Sequence, residues 1–221
     1  MDVFKVMEAR HSVRQYEDRP IEEEVRRQLD DYVKALNEES GLHMQIFYDE
    51  PECFDSGLAH YGRFENVNNY IAIVGKKSKS LDETAGYYGE LLVLKAQELG
   101  LNTCWVALTH GKSKTLLDKD EKEVIIIALG HGSNQGTAHR NKPLSRLVIQ
   151  KDGAPKWFDD GVRAALLAPT ATNQQKFRIA LNEEDEVILE STGIGPCLKI
   201  DLGIVKCHFE LGAGKDNFKW A

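Results

Sequence analysis

The sequence predicts an α+β protein in which amphipathic helices alternate with short apolar strands along 221 residues. Three observations predict it. Ile21, Val25, Leu29, Tyr32, Val33 and Leu36 recur at helical spacing and define one apolar face. Runs such as YIAIVG, Tyr70 to Gly75, are continuously apolar, as a strand buried on both faces requires. The order helix, strand, strand, helix then restarts after a basic, loop-like stretch, GSNQGTAHRNKPLSR, from Gly132 to Arg146.

The elements follow in order. FKVMEARHS has helical spacing at Phe4, Val6, Met7 and Ala9. The helix of residues 20–40 opens on Pro20, whose fixed φ suits a first turn, and on Glu22 to Glu24, which complement the helix dipole. LHMQIFY predicts a strand, GLAHYGRFENV a loop, and YIAIVG a central strand. Thr84 to Leu99 predicts a long helix stopped by Gly100, since glycine adopts the left-handed conformation after a last turn without strain. TCWVAL and VIIIALG predict two more strands. In the second half, DDGVRAALLA reads as helix, KFRIAL and DEVILES as strands, and IDLGIVKCHFELGAG as a long helix ended by glycine. The expectation is one domain, 1–221, made of two degenerate halves at about 1–130 and 155–221 with the basic loop between. Because α+β chains share this order widely, pattern alone leaves the repeat open.

Composition narrows the function. Hydrophobic residues at 42% and charged residues at 29% suit a globular protein, and the net charge of −7 excludes a general affinity for nucleic acid or anionic membrane. A local basic pocket stays possible. No apolar run approaches the roughly 18 residues of a membrane helix. The acidic N-terminus without an apolar stretch is unlike a signal peptide. Cys53, Cys104, Cys197 and Cys207 form no C-x-x-C pair, so reduced thiols and a cytoplasmic address are expected.

Four stretches could carry chemistry. In ARHSVRQY, Arg10, His11, Ser12 and Arg14 lie within five residues, and guanidinium forks with a hydroxyl suit a phosphate. The competing account is a solvated helix end with Arg14 paired to Glu17 or Asp18. HRNKPL offers Arg140 and Lys142, which could close over the same anion or simply be solvated. ALLAPTATNQQKF is neutral and amide-rich; Asn and Gln both donate and accept hydrogen bonds, as the edge of a heterocycle requires. It could equally be a connector, for which Pro169, Thr170 and Asn173 are good turn residues. In LGLNTCWVAL, Trp105 faces either the core or a ring system. The histidines and cysteines show no metal-ligand spacing, so no metal is expected, and no Walker, G-x-S-x-G or G-x-G-x-x-G motif is present.

Together these stretches resemble the FMN-dependent nitroreductase family. Arg10-His11-Ser12-Val13-Arg14-Gln15-Tyr16 is similar to its R-[RH]-S-[VT]-[RK]-x-[FY] motif, and Ala168 to Phe177 to its A-P-S-[SA]-x-N-x-Q-P-[WF] motif. Gly100 to Ala107 resembles G-L-G-T-C-W-[IV]-G, and Asn141-Lys142-Pro143-Leu144 resembles R-K-P-L. The resemblance spans most of the chain. It implies a central mixed or antiparallel sheet flanked by helices. Arg10, His11, Ser12 and Arg14 would hold FMN, Arg10 and Ser12 near the phosphate and Arg14 at the pyrimidine side, where a cation meets the negative charge of reduced flavin. Trp105, Val106, Ala107 and Leu108 would pass the ring near N5 through backbone groups. Lys142 or Arg140 would complete the phosphate cradle. Pro169, Thr170, Ala171, Asn173 and Gln175 would border the flavin edge.

Three departures from the family pattern stand out: Asn141 for the arginine of R-K-P-L, Ala107 for a glycine, and an amide loop that follows the helix of the second half rather than the first long helix. The family's usual homodimer takes its two flavin-binding loops from different subunits. A second half that stands in for the partner subunit would explain the displaced loop, and implies a monomeric pseudo-dimer, or a weak homodimer, with one FMN per chain. The implied reaction carries hydride from NADH or NADPH through flavin N5 to a nitroaromatic, quinone or similar small acceptor, with no catalytic side chain. The alternatives are a flavin store or sensor without turnover, and an interaction module without cofactor.

Overall fold

The computed structural model describes residues 2–149 and 153–221; Gln150 to Asp152, in the interval between the two expected halves, lie outside the described residues. The chain divides into two compact units: Ala9–Leu81 with Leu91–Thr137, and Met1–Glu8 with Asp82–Glu90 and Ala138–Ala221.

The first unit is built on four antiparallel strands, β1 (Gln45–Phe47), β2 (Asn69–Lys76), β3 (Asn102–Val106) and β4 (Glu121–Gly130), in the order β1-β2-β4-β3. The register sets Ile71 opposite Ile127 and Trp105 opposite Ile127 on the other side, with an irregularity between Ile73 and Val74. Alternation places Tyr70, Ala72, Val74, Cys104, Val106, Ile126 and Ala128 in one apolar cluster with Val13, Tyr16, Phe54 and Phe64. The unit also holds α2 (Glu23–Ser40), the short α3 (Gly57–Tyr61) and the second half of α4 (Leu81–Glu98). Helix α2 starts at Glu23 rather than Pro20, because Ile21 is buried ahead of the helix and its carbonyl accepts from Arg26 Nε at 2.8 Å. It stops at Gly41, with φ of 70°, whose N–H donates to the Asn37 carbonyl.

The second unit holds α1 (Val3–Ala9) up to Glu8, the first half of α4, α5 (Leu144–Leu147), α6 (Lys156–Ala165) and α7 (Leu198–Ala213). Its sheet is β5 (Val148–Ile149), parallel to β6 (Phe177–Leu181), which pairs antiparallel with β7 (Val187–Ser191). The expected α+β class, with antiparallel strands flanked by helices, is what the structure shows; β5 makes the smaller sheet mixed. Helices α4 and α7 approach backbone to backbone. A Cβ on Gly203 would fall on the Glu83 carbonyl, and one on Gly86 on the Ile200 carbonyl. Between these helices His208 and Glu90 are fully buried, with His208 Nε2 2.9 Å from Glu90 Oε1 and Nδ1 donating to the Ala164 carbonyl at 3.0 Å. Buried polar groups persist when paired in this way. Behind α7, Glu210 accepts from Tyr87 Oη at 2.6 Å and from Trp220 Nε1 at 2.8 Å, tying the C-terminal residues down.

Among the described residues no helix is long and apolar enough to cross a membrane, and all four cysteines are free. The glycine contact between α4 and α7 is backbone on both sides and cannot give way by rotating a side chain. Gly203→Ala should therefore destabilise the protein by about 1–3 kcal/mol, toward the upper end, in urea unfolding. The same exchange at Gly57, where a Cβ meets nothing within 4 Å, should register less than half as much.

Candidate functional site

Strand β4 is paired on both sides, so β3 is left with one open edge. The N-terminal motif takes it. Ser12 bridges to Thr103 in parallel, and the Val13 N–H donates to the Thr103 carbonyl at 3.0 Å. Val13 and Tyr16 are buried and anchor the segment; the Tyr16 hydroxyl donates to the Val13 carbonyl at 2.7 Å. The alternation of an extended segment then sets the side chains of the motif. Arg10 is buried, His11 and Ser12 are half-buried, and Arg14 is exposed.

Cys104, on β3, lies near three of the motif's four polar groups. Burial pushes its thiol above the usual range, against the opposing effects of Arg14, a hydrogen bond with Ser12, and Arg10. Arg10, Ser12 and Arg14 are thus gathered over one strand. The Arg14 guanidinium lies 5.9 Å from the Phe64 ring centroid, and no described carboxylate lies within ion-pair distance of it. Pairing with Glu17 or Asp18, the competing account of this arginine, does not occur; Asp18 instead accepts from Asn68 Nδ2 at 3.1 Å.

The front of the basic stretch that begins at Gly132, with residues not named as site candidates from sequence, packs against this motif. His11 Nδ1 lies 3.2 Å from the Gln135 carbonyl, Asn102 Nδ2 donates to Gln135 Oε1 at 3.1 Å, and Asn102 Oδ1 accepts from the Gly132 N–H at 3.0 Å. Gly136, with φ of 67°, brings its backbone so close that a Cβ would stand 2.7 Å from His11 Cβ. The density of glycine in Gly130 to Gly136 was the available signal. Of the residues expected beside a flavin ring, Trp105 and Val106 lie in β3, whereas Ala107 and Leu108 follow it and are exposed.

The amide loop and the basic arm belong to the second unit, where they bind each other. Gln175, 3% exposed, accepts from the Lys142 N–H at 2.9 Å through Oε1 and donates through Nε2 to the Arg140 carbonyl at 2.8 Å. Asn173 Nδ2 also donates to the Arg140 carbonyl, at 3.0 Å. Lys142 Nζ returns the contact, donating to the carbonyls of Gln174 at 2.5 Å and Gln175 at 3.1 Å. The Gln175 amide is thereby satisfied within the chain on both its oxygen and its nitrogen. The Arg140 and Asn173 side chains stay exposed, and Pro169, Thr170 and Ala171 are half-buried. Three loop residues have left-handed backbone: Thr172 at φ of 50°, Asn173 at 53° and Gln175 at 40°. For a β-branched threonine that conformation is unfavourable by about 1 kcal/mol or more, so surrounding bonds must hold it.

One grouping of metal-ligand type occurs among the described residues. His43, Asp118 and Glu121 bring ligand atoms within 4.8 Å of one another. Glu121 there accepts from His43 Nδ1 at 3.0 Å and from the Asp118 N–H at 2.8 Å, and these bonds hold its carboxyl below the usual range. Positions 43 and 121 are too far apart in sequence to show as a motif.

The fold is an antiparallel sheet whose edge strand is joined by an arginine-rich N-terminal segment, in an α+β chain. The family described as "Putative TM nitroreductase" matches residues 2–213, and the chain belongs to it. Among solved structures, a "putative nitroreductase" of Thermotoga maritima shares 23% identity, with 99% of this chain and 87% of that one covered and a TM-score of 0.70. A protein described as "Putative NADH dehydrogenase/NAD(P)H nitroreductase", of Parabacteroides distasonis, shares 18%, covering 70% of this chain and 99% of that one with a TM-score of 0.52. A "putative nitroreductase" of Desulfovibrio desulfuricans, solved in complex with FMN, shares 17%, covering 68% of this chain and 97% of that one with a TM-score of 0.50. These likenesses show the fold. No curated protein matches the chain.

If Gln175 organises the arm, Gln175→Ala removes the acceptor of the Lys142 N–H and leaves the Arg140 carbonyl with Asn173 Nδ2 alone. Residues 138–143 should then be cut several-fold faster by trypsin, and stability should fall by about 1–3 kcal/mol.

Proposed function

We propose that this chain is an FMN-dependent oxidoreductase that draws on NADH or NADPH and reduces a small acceptor such as a nitroaromatic or a quinone. The observation that carries the reading is Arg14, an exposed guanidinium with no carboxylate partner among the described residues, in the same segment along β3 as Arg10 and Ser12. The donor set fits the cofactor chemically: two guanidiniums and a hydroxyl match a phosphate and the electron-rich pyrimidine side of a flavin. Bound FMN would supply the redox chemistry, taking hydride at N5 and passing electrons to the acceptor.

The residues of this chain bind and orient. Arg10 and Ser12 are assigned to the phosphate, and Arg14 to the side of the ring where reduction places negative charge. The Trp105 to Leu108 segment, the last two residues of β3 and the two that follow it, is assigned to the ring through its backbone groups. In the second unit Pro169, Thr170, Ala171 and Asn173 are assigned to a flavin edge, and Gln175 and Lys142 to shaping that loop and its arm; Arg140 is the exposed cation of the arm. No side-chain nucleophile or base is called for. NAD(P)H as donor accords with the name of the Parabacteroides distasonis protein, and FMN with the complex of the Desulfovibrio desulfuricans protein.

Titration of flavin-free protein with FMN should reach one equivalent per chain. Arg10→Ala should weaken that binding by roughly 1.5–3 kcal/mol, the scale of a charge-assisted hydrogen bond; unchanged retention would remove the N-terminal motif from the site. Anaerobic addition of NADH or NADPH should bleach the oxidised-flavin absorbance within a catalytic time. A spectrum unchanged with both donors would identify a flavin store instead.

A further inference from the structure

We propose that Asp201 is the positioning residue of the amide loop: from the first turn of α7 its ionised carboxylate holds Ala171 and Gln174 in place, and protonation lets the loop relax. The inference rests on the reading that this loop borders the flavin. Asp201 is 5% exposed. Its Oδ1 accepts from the Ala171 N–H at 2.9 Å and its Oδ2 from Gln174 Nε2 at 2.7 Å. The second hydrogen of that amide goes to the Pro196 carbonyl at 2.8 Å, so Gln174 has no freedom to turn its oxygen toward Asp201.

These bonds bracket Thr172 and Asn173, both in left-handed backbone. On the far side of the loop, Lys142 and Gln175 hold residues 174 and 175 to the arm. Asp201 is the only described side chain bonded to the backbone N–H at the front of the turn. A carboxylate accepts at both oxygens, whereas a carboxylic acid must donate from one of them. Ala171 and Gln174 offer Asp201 only N–H groups, so a proton on Asp201 breaks one of the two bonds.

Burial pushes the Asp201 carboxyl up to about 6, opposed by its bonds to Gln174 and Ala171. The Cys197 thiol, immediately ahead of α7, feels both Asp201 and Asp82. The nearest cations of the loop, Lys142 and Lys176, are directed to backbone carbonyls, Lys176 to that of Ile194. The sign is distinctive. A carboxyl raised in the folded state binds its proton more tightly than in the unfolded chain, so between about pH 4 and 6 protonation favours folding overall. Release of the loop on acidification is a separate, local equilibrium: the bonds it breaks favour the charged form, so with its burial kept the released carboxyl binds its proton more tightly than the latched one, opposite in sign to this group's effect on global stability.

Hydrogen exchange on flavin-free protein tests the latch without any activity. Between pH 7.5 and 5.0 the protection factors of the amides of residues 171 and 173–175 should fall about tenfold, the loss of charged Asp201 expected one unit below its midpoint. In Asp201→Asn they should start low and stay flat. Gln174→Leu removes a bond that favours the charged form, so its midpoint should move to higher pH. Protection that is flat in the native protein, or that falls equally in Asp201→Asn, overturns the proposal. FMN dissociation constants over the same range, taken as the ratio of native protein to Asp201→Asn, cancel the phosphate's own titration. That ratio should shift about tenfold. Protection that falls while the ratio stays constant upholds the latch and removes the loop from the flavin site.

Discussion

The open edge of β3 is the constraint on which the rest of the candidate site depends. A strand with unpaired N–H and C=O groups invites another segment, and here the segment is the chain's own Ser12–Val13. One pairing does two things. It pairs the Thr103 carbonyl on the open edge of β3, and it fixes the register of a short run containing two arginines, a histidine and a serine. Because Val13 and Tyr16 fill the core beneath, the register cannot slip by one residue without exposing both of them. The positions of Arg10, Ser12 and Arg14 are therefore consequences of packing at apolar neighbours.

The two polar clusters are organised on different principles. Around β3 the cations are held by the backbone that carries them, and the Arg14 side chain is left to face outward. In the amide loop nearly every polar group is satisfied by another part of the same unit: Gln175 by the arm, Lys142 by the loop carbonyls, Gln174 by Pro196 and Asp201. Such a network resists distortion because losing one member leaves a buried donor or acceptor unmade. It also explains how Thr172 is kept in left-handed backbone, against its own preference. The first cluster offers an outward-facing charge, and the second offers a loop whose shape its own hydrogen bonds fix.

Much of the fold was legible because it obeys simple periods. Leu29, Val33 and Leu36 mark the buried face of α2, and glycines at 41, 100 and 214 mark helix ends by their positive φ. The elements that went unread are α3, α5 and β5, of five, four and two residues, too short for any period to show. The site was legible only in part. ARHSVRQY announces an anion by its density of donors, but nothing local says that it lies along a strand some ninety residues later. Gln175 looks like a ligand contact when its amide is considered alone; burial turns that amide toward the arm. Asp201 reads as an ordinary polar position in an amphipathic helix, because its partners lie about thirty residues earlier and one of them is a backbone N–H.

Gly136 carries no functional group and touches the motif only by coming close. Its left-handed backbone lets the turn press against His11 and the Ser12 carbonyl, where any side chain would intrude. The mould for the arginine-rich segment is thus made partly of empty space. Selection for flavin chemistry in this chain would be felt at a residue without chemistry, and a survey confined to polar side chains would pass over it.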